Sequence, residues 1–139
     1  MAISQSMCAS FKSEVLGGIH DLDTDTIKIA LYTSSATLGS GTTAYSAANE
    51  VSGTGYTAGG NPLTSPVISL DGTTAIVDFA DSTWSTATIT ARGALIYNAS
   101  KSNRAIAVLD FGEDKTSTSG NFTVQFPAAA ASTAIVRLA

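Results

Sequence analysis

Short segments in which apolar and polar residues alternate dominate the chain after residue 25, and they predict β-strands. In residues 26–33, Ile27, Ile29 and Leu31 occupy one face of an extended chain. Asp71-Gly72 is a favoured turn dipeptide and predicts a hairpin, whereas residues 113–120 have the composition of a polar loop. The other predicted strands are residues 66–70, 74–80, 86–98, 104–111, 121–126 and 134–138.

The segment 34–62 is rich in Ser, Thr, Gly and Ala and is too long for an idle connection in a compact domain. We expect part of it to be ordered, or to contact a partner, and to contain an eighth strand. Alternation places Asp78 toward water and predicts a core that includes Ile27, Ile29, Leu31, Val77, Phe79, Ile89, Leu95, Phe122, Val124 and Phe126.

The N-terminal residues show a different period. Met7, Phe11 and Val15 recur every fourth residue, Ser6 can cap a helix start, and Gly17-Gly18 is a natural stop, so a short helix is predicted over residues 6–18. The chain then divides into an N-terminal arm with a short helix (1–18) and a single β-sandwich domain (19–139).

About eight short strands at regular spacing, with one flanking helix, predict an all-β fold. We expect an antiparallel β-sandwich, specifically a jelly roll of about eight strands. An immunoglobulin-like sandwich is the alternative, since it shares the burial pattern and differs only in strand order.

Composition excludes several classes of protein. Ala, Thr, Ser and Gly make up half of the 139 residues and only 13% are charged, which argues against a long-helix protein. The 44% hydrophobic content and the net charge of −4 argue against disorder. The acidic balance disfavours nucleic-acid binding, and no apolar run is long enough for a membrane helix. The start of the chain lacks the features of a signal peptide, and a single cysteine fits a reducing cytoplasm.

Catalytic chemistry finds little support in the sequence. His20 is the only histidine and is interpreted as a partly exposed loop residue, while Cys8 on the apolar side of the helix is interpreted as a small hydrophobe. No nucleophile elbow is present. We therefore expect no enzyme activity, no catalytic residues and no cofactor. The acidic turn 21–25 lacks the later EF-hand ligands, and whether it binds calcium stays open.

Five segments carry a resemblance to known proteins: DTIKIALYT (25–33), NEVSGTGYTAGG (49–60), ARGALIY (91–97), FGEDK (111–115) and FTVQFP (122–127). Together they resemble segments of tailed-phage virion structural proteins, and the chain is similar over residues 11–139 to the capsid cement, or decoration, proteins of short-tailed phages.

The resemblance implies a non-enzymatic virion protein, made in the bacterial host cytoplasm, that binds the outer surface of the capsid and holds major capsid protein subunits together. It implies the major capsid protein as a partner, with no nucleic acid and no membrane. A tail or fibre module that recognises a host surface is the alternative, and it would favour an exposed aromatic cluster from Tyr45, Tyr56 and Trp84. A core or interface anchor is the favoured interpretation of Trp84.

We expect the N-terminal stretch 1–11 and the Gly-rich loop 39–60 to supply much of the contact with the capsid or with neighbouring subunits. Outward-facing arginines are secondary candidates for pairing with acidic capsid groups. Self-association is also expected, with a homodimer favoured over a trimer. The candidate interface residues are Met1, Ile3, Met7, Phe11, Tyr45, Tyr56, Arg92, Arg104 and Arg137.

Overall fold

A computed structural model describes residues 2–126 and 136–138, which form an all-β antiparallel sandwich with one short N-terminal helix, as predicted. None of the described helices has the length and apolarity to cross a membrane. In chain order the elements are β1 (Ser6–Met7), α1 (Ala9–Leu16), β2 (Ile27–Tyr32), β3 (Asn61–Pro62), β4 (Val67–Asp71), β5 (Thr74–Asp78), β6 (Ser82–Asn98), β7 (Arg104–Val124) and β8 (Val136–Leu138).

The eight strands form two sheets. Five strands lie in the order β1-β7-β6-β2-β3, and three lie in the order β4-β5-β8. All of the pairings between these strands are antiparallel. The expected eighth strand within residues 34–62 is β3, which pairs with β2 at the end of the long loop.

The long hairpin of β6 and β7 corrects the sequence prediction. The composition of residues 113–120 predicts a polar loop, but β7 runs continuously from Arg104 to Val124. Residues 115–120 pair with residues 87–91 of β6, and the register shift between Ala91 and Gly93 places residues 111–114 in a bulge. The hydroxyls of Thr90 and Thr116 lie 2.9 Å apart across this ladder. The polar composition therefore marks a largely exposed stretch of a strand rather than a loop.

The N-terminal prediction is wrong in its boundaries. The helix begins at Ala9 rather than Ser6, and Ser6 and Met7 form a strand paired with Val108 and Ala107 of β7. Gly17 ends the helix as expected, and its N–H donates to the Ser13 carbonyl. The predicted apolar stripe of the helix is confirmed in part, because Phe11 is fully buried and Val15 packs against the core.

The remaining strands shift by only a few residues from their predicted bounds. The hairpin of β4 and β5 turns at Gly72-Thr73, and β6 begins four residues earlier than expected. Asp78 is predicted to face water, but one of its carboxylate oxygens is buried. Three parts of the prediction lie outside the described residues: Met1, the connection 128–132, and the start of the last strand at residues 134 and 135.

Nine of the ten predicted core residues are buried, and the tenth, Phe126, is half-buried against the same cluster. The strand β2 is covered on both faces, since Ala30 and Tyr32 are buried as well as Ile29 and Leu31. Val77 and Val136 of the three-stranded sheet belong to the same hydrophobic cluster as Phe11. One core therefore joins the helix and both sheets.

Candidate functional site

The long loop between β2 and β3 is fixed to the large sheet by backbone hydrogen bonds along its length. The N–H of Val51 donates to the Leu31 carbonyl, and the N–H of Ala105 donates to the Thr43 carbonyl, both at 2.9 Å. Thr54 forms an isolated bridge with Thr88 of β6. The loop is therefore an ordered layer over the sheet, as its length suggested.

A carboxylate at the centre of this loop organises its aromatic residues. Glu50 accepts hydrogen bonds from the Tyr45 hydroxyl at 2.7 Å, the Tyr56 hydroxyl at 2.5 Å and the Gly59 N–H at 2.8 Å. The Tyr56 oxygen in turn accepts a bond from the Leu31 N–H at 2.9 Å. Hydrogen bonds to an ionised group are about twice as strong as neutral ones, so this cluster fastens the loop to β2.

The tyrosines of this cluster also pack on the core. Tyr45 stacks on Tyr97 with ring centroids 4.8 Å apart, and Tyr56 stacks on Trp84 at 5.9 Å. Burial, followed by the nearby Glu50 carboxylate, raises the pKa of Tyr45 and of Tyr56 above the ordinary tyrosine value. Their hydroxyls therefore remain protonated donors to Glu50 at neutral pH.

The N-terminal segment lies along this same loop. The N–H of Ser4 donates to the Leu38 carbonyl at 2.9 Å, the N–H of Leu38 donates to the Ala2 carbonyl at 3.1 Å, and the N–H of Ala9 donates to the Ser40 carbonyl at 2.8 Å. The two segments that the sequence proposed as contact regions are thus neighbours in space.

Between them lies a groove of about 890 Å³. We call it the uncharged groove, because none of the residues that line it carries a charge: Ala2, Ser4, Tyr32, Ala36, Thr37, Leu38, Gly39, Ser40, Gly41, Thr42, Thr43, Ala44, Ser46, Ala48 and Asn49. A surface of small neutral side chains can be covered by another protein without removing water from an ionised group.

The interface side chains predicted from the N-terminal stretch and the loop are less accessible than expected. Phe11 is fully buried, Ile3 is 9% exposed, and Met7 is half-buried. Tyr45 and Tyr56 are half-buried within the Glu50 cluster. None of these five side chains lines the uncharged groove, and the lining residues next to them in the chain are small: Ala2, Ser4, Ala44 and Ser46.

Arg92 and Arg104, both predicted interface residues, are already paired within the chain. Arg92 Nε lies 3.3 Å from Asp110 Oδ1, and Arg104 Nη1 donates to Glu14 Oε2 at 2.8 Å. Arg137 is exposed on β8, and Met1 lies outside the described residues. Contacts with an acidic partner by Arg92 or Arg104 would therefore compete with these internal pairs.

The expectation that His20 is a partly exposed loop residue is wrong, because its ring is completely buried. Its Nε2 lies 2.9 Å from Glu14 Oε1, and its Nδ1 accepts a hydrogen bond from the Asn98 amide at 3.1 Å. The same amide donates to Asp25 Oδ2 at 2.8 Å. Both ring nitrogens are occupied by these partners, so the histidine joins the helix to β6 and has no position left for a substrate.

The Glu14 carboxylate stabilises the end of this network. Its burial would raise its pKa, but hydrogen bonds from His20 and Arg104, together with the Arg104 charge, outweigh that effect and place the pKa of Glu14 below its ordinary value. Burial, together with the charge of Glu14, raises the pKa of the Cys8 thiol to about 11, which makes Cys8 a poor nucleophile.

The acidic turn after the helix is held by its own hydrogen bonds. Asp21 Oδ1 accepts from the N–H groups of Asp23 and Thr24, and Asp25 Oδ2 accepts from the N–H of Asp21. Among residues 2–126 and 136–138, no group of three or more His, Cys, Asp or Glu side chains is placed to hold a metal ion.

Glu50 and Asn98, the two residues that organise the loop and the His20 network, are not singled out by the sequence. The only available signal for Glu50 is a single acid inside a long neutral segment, and Asn98 has the character of a turn residue.

Comparison of the chain with protein-family models, with curated proteins and with solved structures finds no match.

Proposed function

We propose that this protein is a non-enzymatic structural component of a phage virion, a cement or decoration protein that binds the outside of the capsid and stabilises contacts between major capsid protein subunits. The proposal starts from the resemblance of five segments spread over residues 25–127. It is supported by a groove whose lining residues are all uncharged, which suits contact with another protein.

The observation that carries the proposal is the uncharged groove. Two separate segments, residues 2–4 and residues 36–49, form its walls, and hydrogen bonds between their backbones hold them together. Protein interfaces are depleted of charged residues at their centre, because covering an ionised group removes its hydration. A capsid segment that enters this groove meets hydroxyls, backbone groups and small apolar side chains.

The loop that forms one wall of the groove is already held in place, which favours binding without rearrangement. The Glu50 cluster and the stacking of Tyr45 on Tyr97 hold the loop before a partner arrives. A loop that is already ordered loses little conformational entropy on binding, so more of the contact energy appears as affinity.

A repeating shell would multiply such contacts. A self-associated decoration protein that reaches two neighbouring capsid subunits at once binds the second site as an intramolecular event. Modest affinity at each groove is then sufficient for stable attachment, and the same bridging holds the subunits together.

The decisive experiment adds the purified protein to particles assembled from the cognate major capsid protein and measures co-sedimentation and added density in cryo-electron microscopy maps. We expect regular density over the whole outer surface and greater resistance of the shell to heat. Binding to purified tails but not to these particles would instead show the tail or fibre module, and binding to neither would refute both assignments.

Variants of Ala48 test the groove itself. Ala48 is exposed and lines the groove, so Ala48→Lys and Ala48→Glu place a charge of either sign there without disturbing the core. We expect both variants to bind particles at least tenfold more weakly. Ser85→Lys, at an exposed position on β6 outside the groove, is the matched control and keeps normal binding.

A further inference from the structure

The strand β4 is the exposed edge of the three-stranded sheet. It pairs with β5 on one side, and within the part of the chain that the structure describes no strand pairs with its other side. All five of its residues are exposed, including the apolar Val67 (55%), Ile68 (54%) and Leu70 (73%). An open edge of this kind is a template for pairing with another strand.

The sequence of β4 lacks the usual protection of an exposed edge. Its five residues, Val-Ile-Ser-Leu-Asp, contain no lysine and no proline, and the only charged residue, Asp71, lies at the end next to the turn. Val67, Ile68 and Leu70 are three of the five large hydrophobic residues that the described chain exposes, and a fourth, Leu138, lies on β8 of the same sheet.

We propose that β4 pairs in antiparallel fashion with β4 of a second copy of this chain, about a two-fold axis at Ser69. The two three-stranded sheets then become one six-stranded sheet. In this register Ile68 lies opposite Leu70 of the partner subunit, and Leu70 lies opposite Ile68 of the partner subunit, so apolar residues meet on the same face.

Charge selects this arrangement over a parallel one. In the antiparallel register each Asp71 lies opposite Val67 of the partner subunit, and the two aspartates are about 13 Å apart, four residues at the rise of a strand. That separation exceeds the Debye length of about 8 Å at physiological salt. Parallel in-register pairing would place the two Asp71 carboxylates side by side, where like charges repel.

The backbone also fits a two-fold axis at this position. Along an antiparallel ladder, alternate residues direct their N–H and C=O groups to opposite sides. Whichever set faces the open edge of β4, a two-fold axis at Ser69 matches that set with its own copy, because Ser69 pairs with itself and Ile68 pairs with Leu70. The open edge of β4 is therefore complementary to the open edge of β4 in a second copy of the chain.

The apolar face continues into a groove beside the edge. This groove, of about 350 Å³, lies between the helix and the small sheet, and Ile68, Val77 and Leu138 line it together with Phe11 and Val15 of the helix. Leu70 of the partner subunit, placed beside Ile68, would extend the apolar wall of the groove and remove it from water.

The oligomeric state of the purified protein tests the proposal directly. By sedimentation velocity or light scattering we expect a dimer, with twice the mass of one chain. Ile68→Lys and Leu70→Lys each place a charge on the edge and should raise the dimer dissociation constant at least tenfold. Leu16→Lys, at an 88% exposed position of the helix, is the matched control and should leave the dimer intact.

A disulfide trap tests the position of the axis. Directly opposed residues of an antiparallel pair have Cα atoms about 4.5–5.5 Å apart, within the range of about 4.4–6.8 Å that a disulfide spans. Ser69→Cys should form a covalent dimer under mild oxidation, whereas Ser85→Cys, exposed on β6, should not. The native Cys8 is buried and does not interfere.

Three outcomes would overturn the proposal. A monomeric wild-type protein at concentrations of about 0.1 mM would exclude self-pairing, and loss of particle binding by the Ile68→Lys monomer would then assign the edge to a capsid strand. A trimer, or equal cross-linking of the Ser69→Cys and Ser85→Cys variants, would place the contact elsewhere. Because this test uses the isolated protein, its failure leaves the proposed capsid function to be judged by particle binding.

Discussion

The hydroxyl of Tyr56 donates a hydrogen bond to the carboxylate of Glu50 at 2.5 Å, and this contact joins two parts of the same loop above β2. Tyr45 and the Gly59 N–H donate to the same carboxylate. Glu50 thus collects three donors within a loop that consists mostly of small residues. Tyr45, one of these donors, lies in the chain between Ala44 and Ser46, which line the uncharged groove.

Replacing Glu50 by Ala should destabilise the protein by at least about 1.5–3 kcal/mol, because hydrogen bonds to a charged acceptor are lost and their donors remain. Chemical unfolding followed by fluorescence measures the change. Glu113→Ala, which removes an exposed acid paired only with Lys115, is the control and should cost less than about 1 kcal/mol. Equal effects of the two substitutions would show that the cluster does not hold the loop.

The four tyrosines predict a specific alkaline behaviour. Burial is the main cause that raises the pKa of Tyr32, Tyr45, Tyr56 and Tyr97 above the ordinary value of about 10. A raised pKa in the folded state means that the stability these groups contribute is complete below pH 10 and is lost as the pH rises further.

Tyrosinate absorbance and circular dichroism, recorded together against pH, check this prediction. We expect no tyrosinate signal near pH 10 while the sheet signal is intact, followed by a joint change of both signals as the protein unfolds at higher pH. A smooth titration near pH 10 with an unchanged sheet signal would mean that the tyrosines are exposed to solvent.

The strands that alternate clearly in the sequence are predicted well, because their pattern is local. The alternating Ile27, Ile29 and Leu31 of β2 and the turn residues of the β4–β5 hairpin carry their structure in adjacent positions. Residues 115–120 have no such local pattern, since they carry no apolar stripe. They form a strand only by pairing with β6. Long-range pairing of this kind leaves no local signal.

The same reason explains the errors at the candidate site. The burial of His20 depends on Asn98, which lies 78 residues further along the chain. Ser6 and Met7 follow a helical spacing, but an open position beside Ala107 and Val108 of β7 outweighs that weak preference. The exposure of β4 likewise depends on the order of the strands in the sheet. From its apolar sequence alone, this strand would be placed in the core.

Acid should weaken the protein through its paired carboxylates. The pKa of Glu14 lies below its ordinary value of 4.5, and that of Asp25 lies below 3.8, chiefly because Asn98 donates to it. A lowered folded-state pKa means that the stability is complete above the ordinary value and is lost as the pH falls through the lowered one. The free energy of unfolding should therefore decline steadily below about pH 4.5.

The variant Glu14→Gln isolates this effect. At pH 7 it should cost about 1.5–3 kcal/mol, because the charged bonds to His20 and Arg104 are weakened. Its unfolding free energy should then vary less with pH between 5 and 3 than that of the wild type. Glu113→Gln should follow the wild-type profile, and a Glu14→Gln profile as steep as the wild type would contradict the assignment.

Two phenylalanines, one near the end of β7 and one just beyond it, should differ in their contribution to stability. Phe122 is 7% exposed and packs edge-on against Trp84, whereas Phe126 is half-buried against Phe79. Phe122→Ala should cost about 3–5 kcal/mol. Phe126→Ala should cost about 1.5–3 kcal/mol, since less of its apolar surface is buried in the folded state. Thermal and chemical unfolding measure both, and the reverse order would indicate an error in the register of β7.

The end of the long loop depends on Gly60, which lies directly against β2. Its φ of +76° is in the left-handed region, and a Cβ at this position would collide with the Ile29 carbonyl oxygen and lie 2.8 Å from the Ala30 Cα. Both atoms belong to the backbone of the most buried strand, so neither can move aside as a flexible side chain would. Gly60 is therefore the residue that lets the loop approach the sheet closely.

The substitution Gly60→Ala should cost at least about 1–3 kcal/mol from backbone strain alone, with the steric conflict in addition. Gly41→Ala is the matched control, because a Cβ at Gly41 would have no neighbouring atom within 4 Å and the residue has no positive φ. That control should be neutral or stabilising by about 0.4–1 kcal/mol through the unfolded state. If both variants unfold at the same denaturant concentration, the loop does not meet β2 at Gly60.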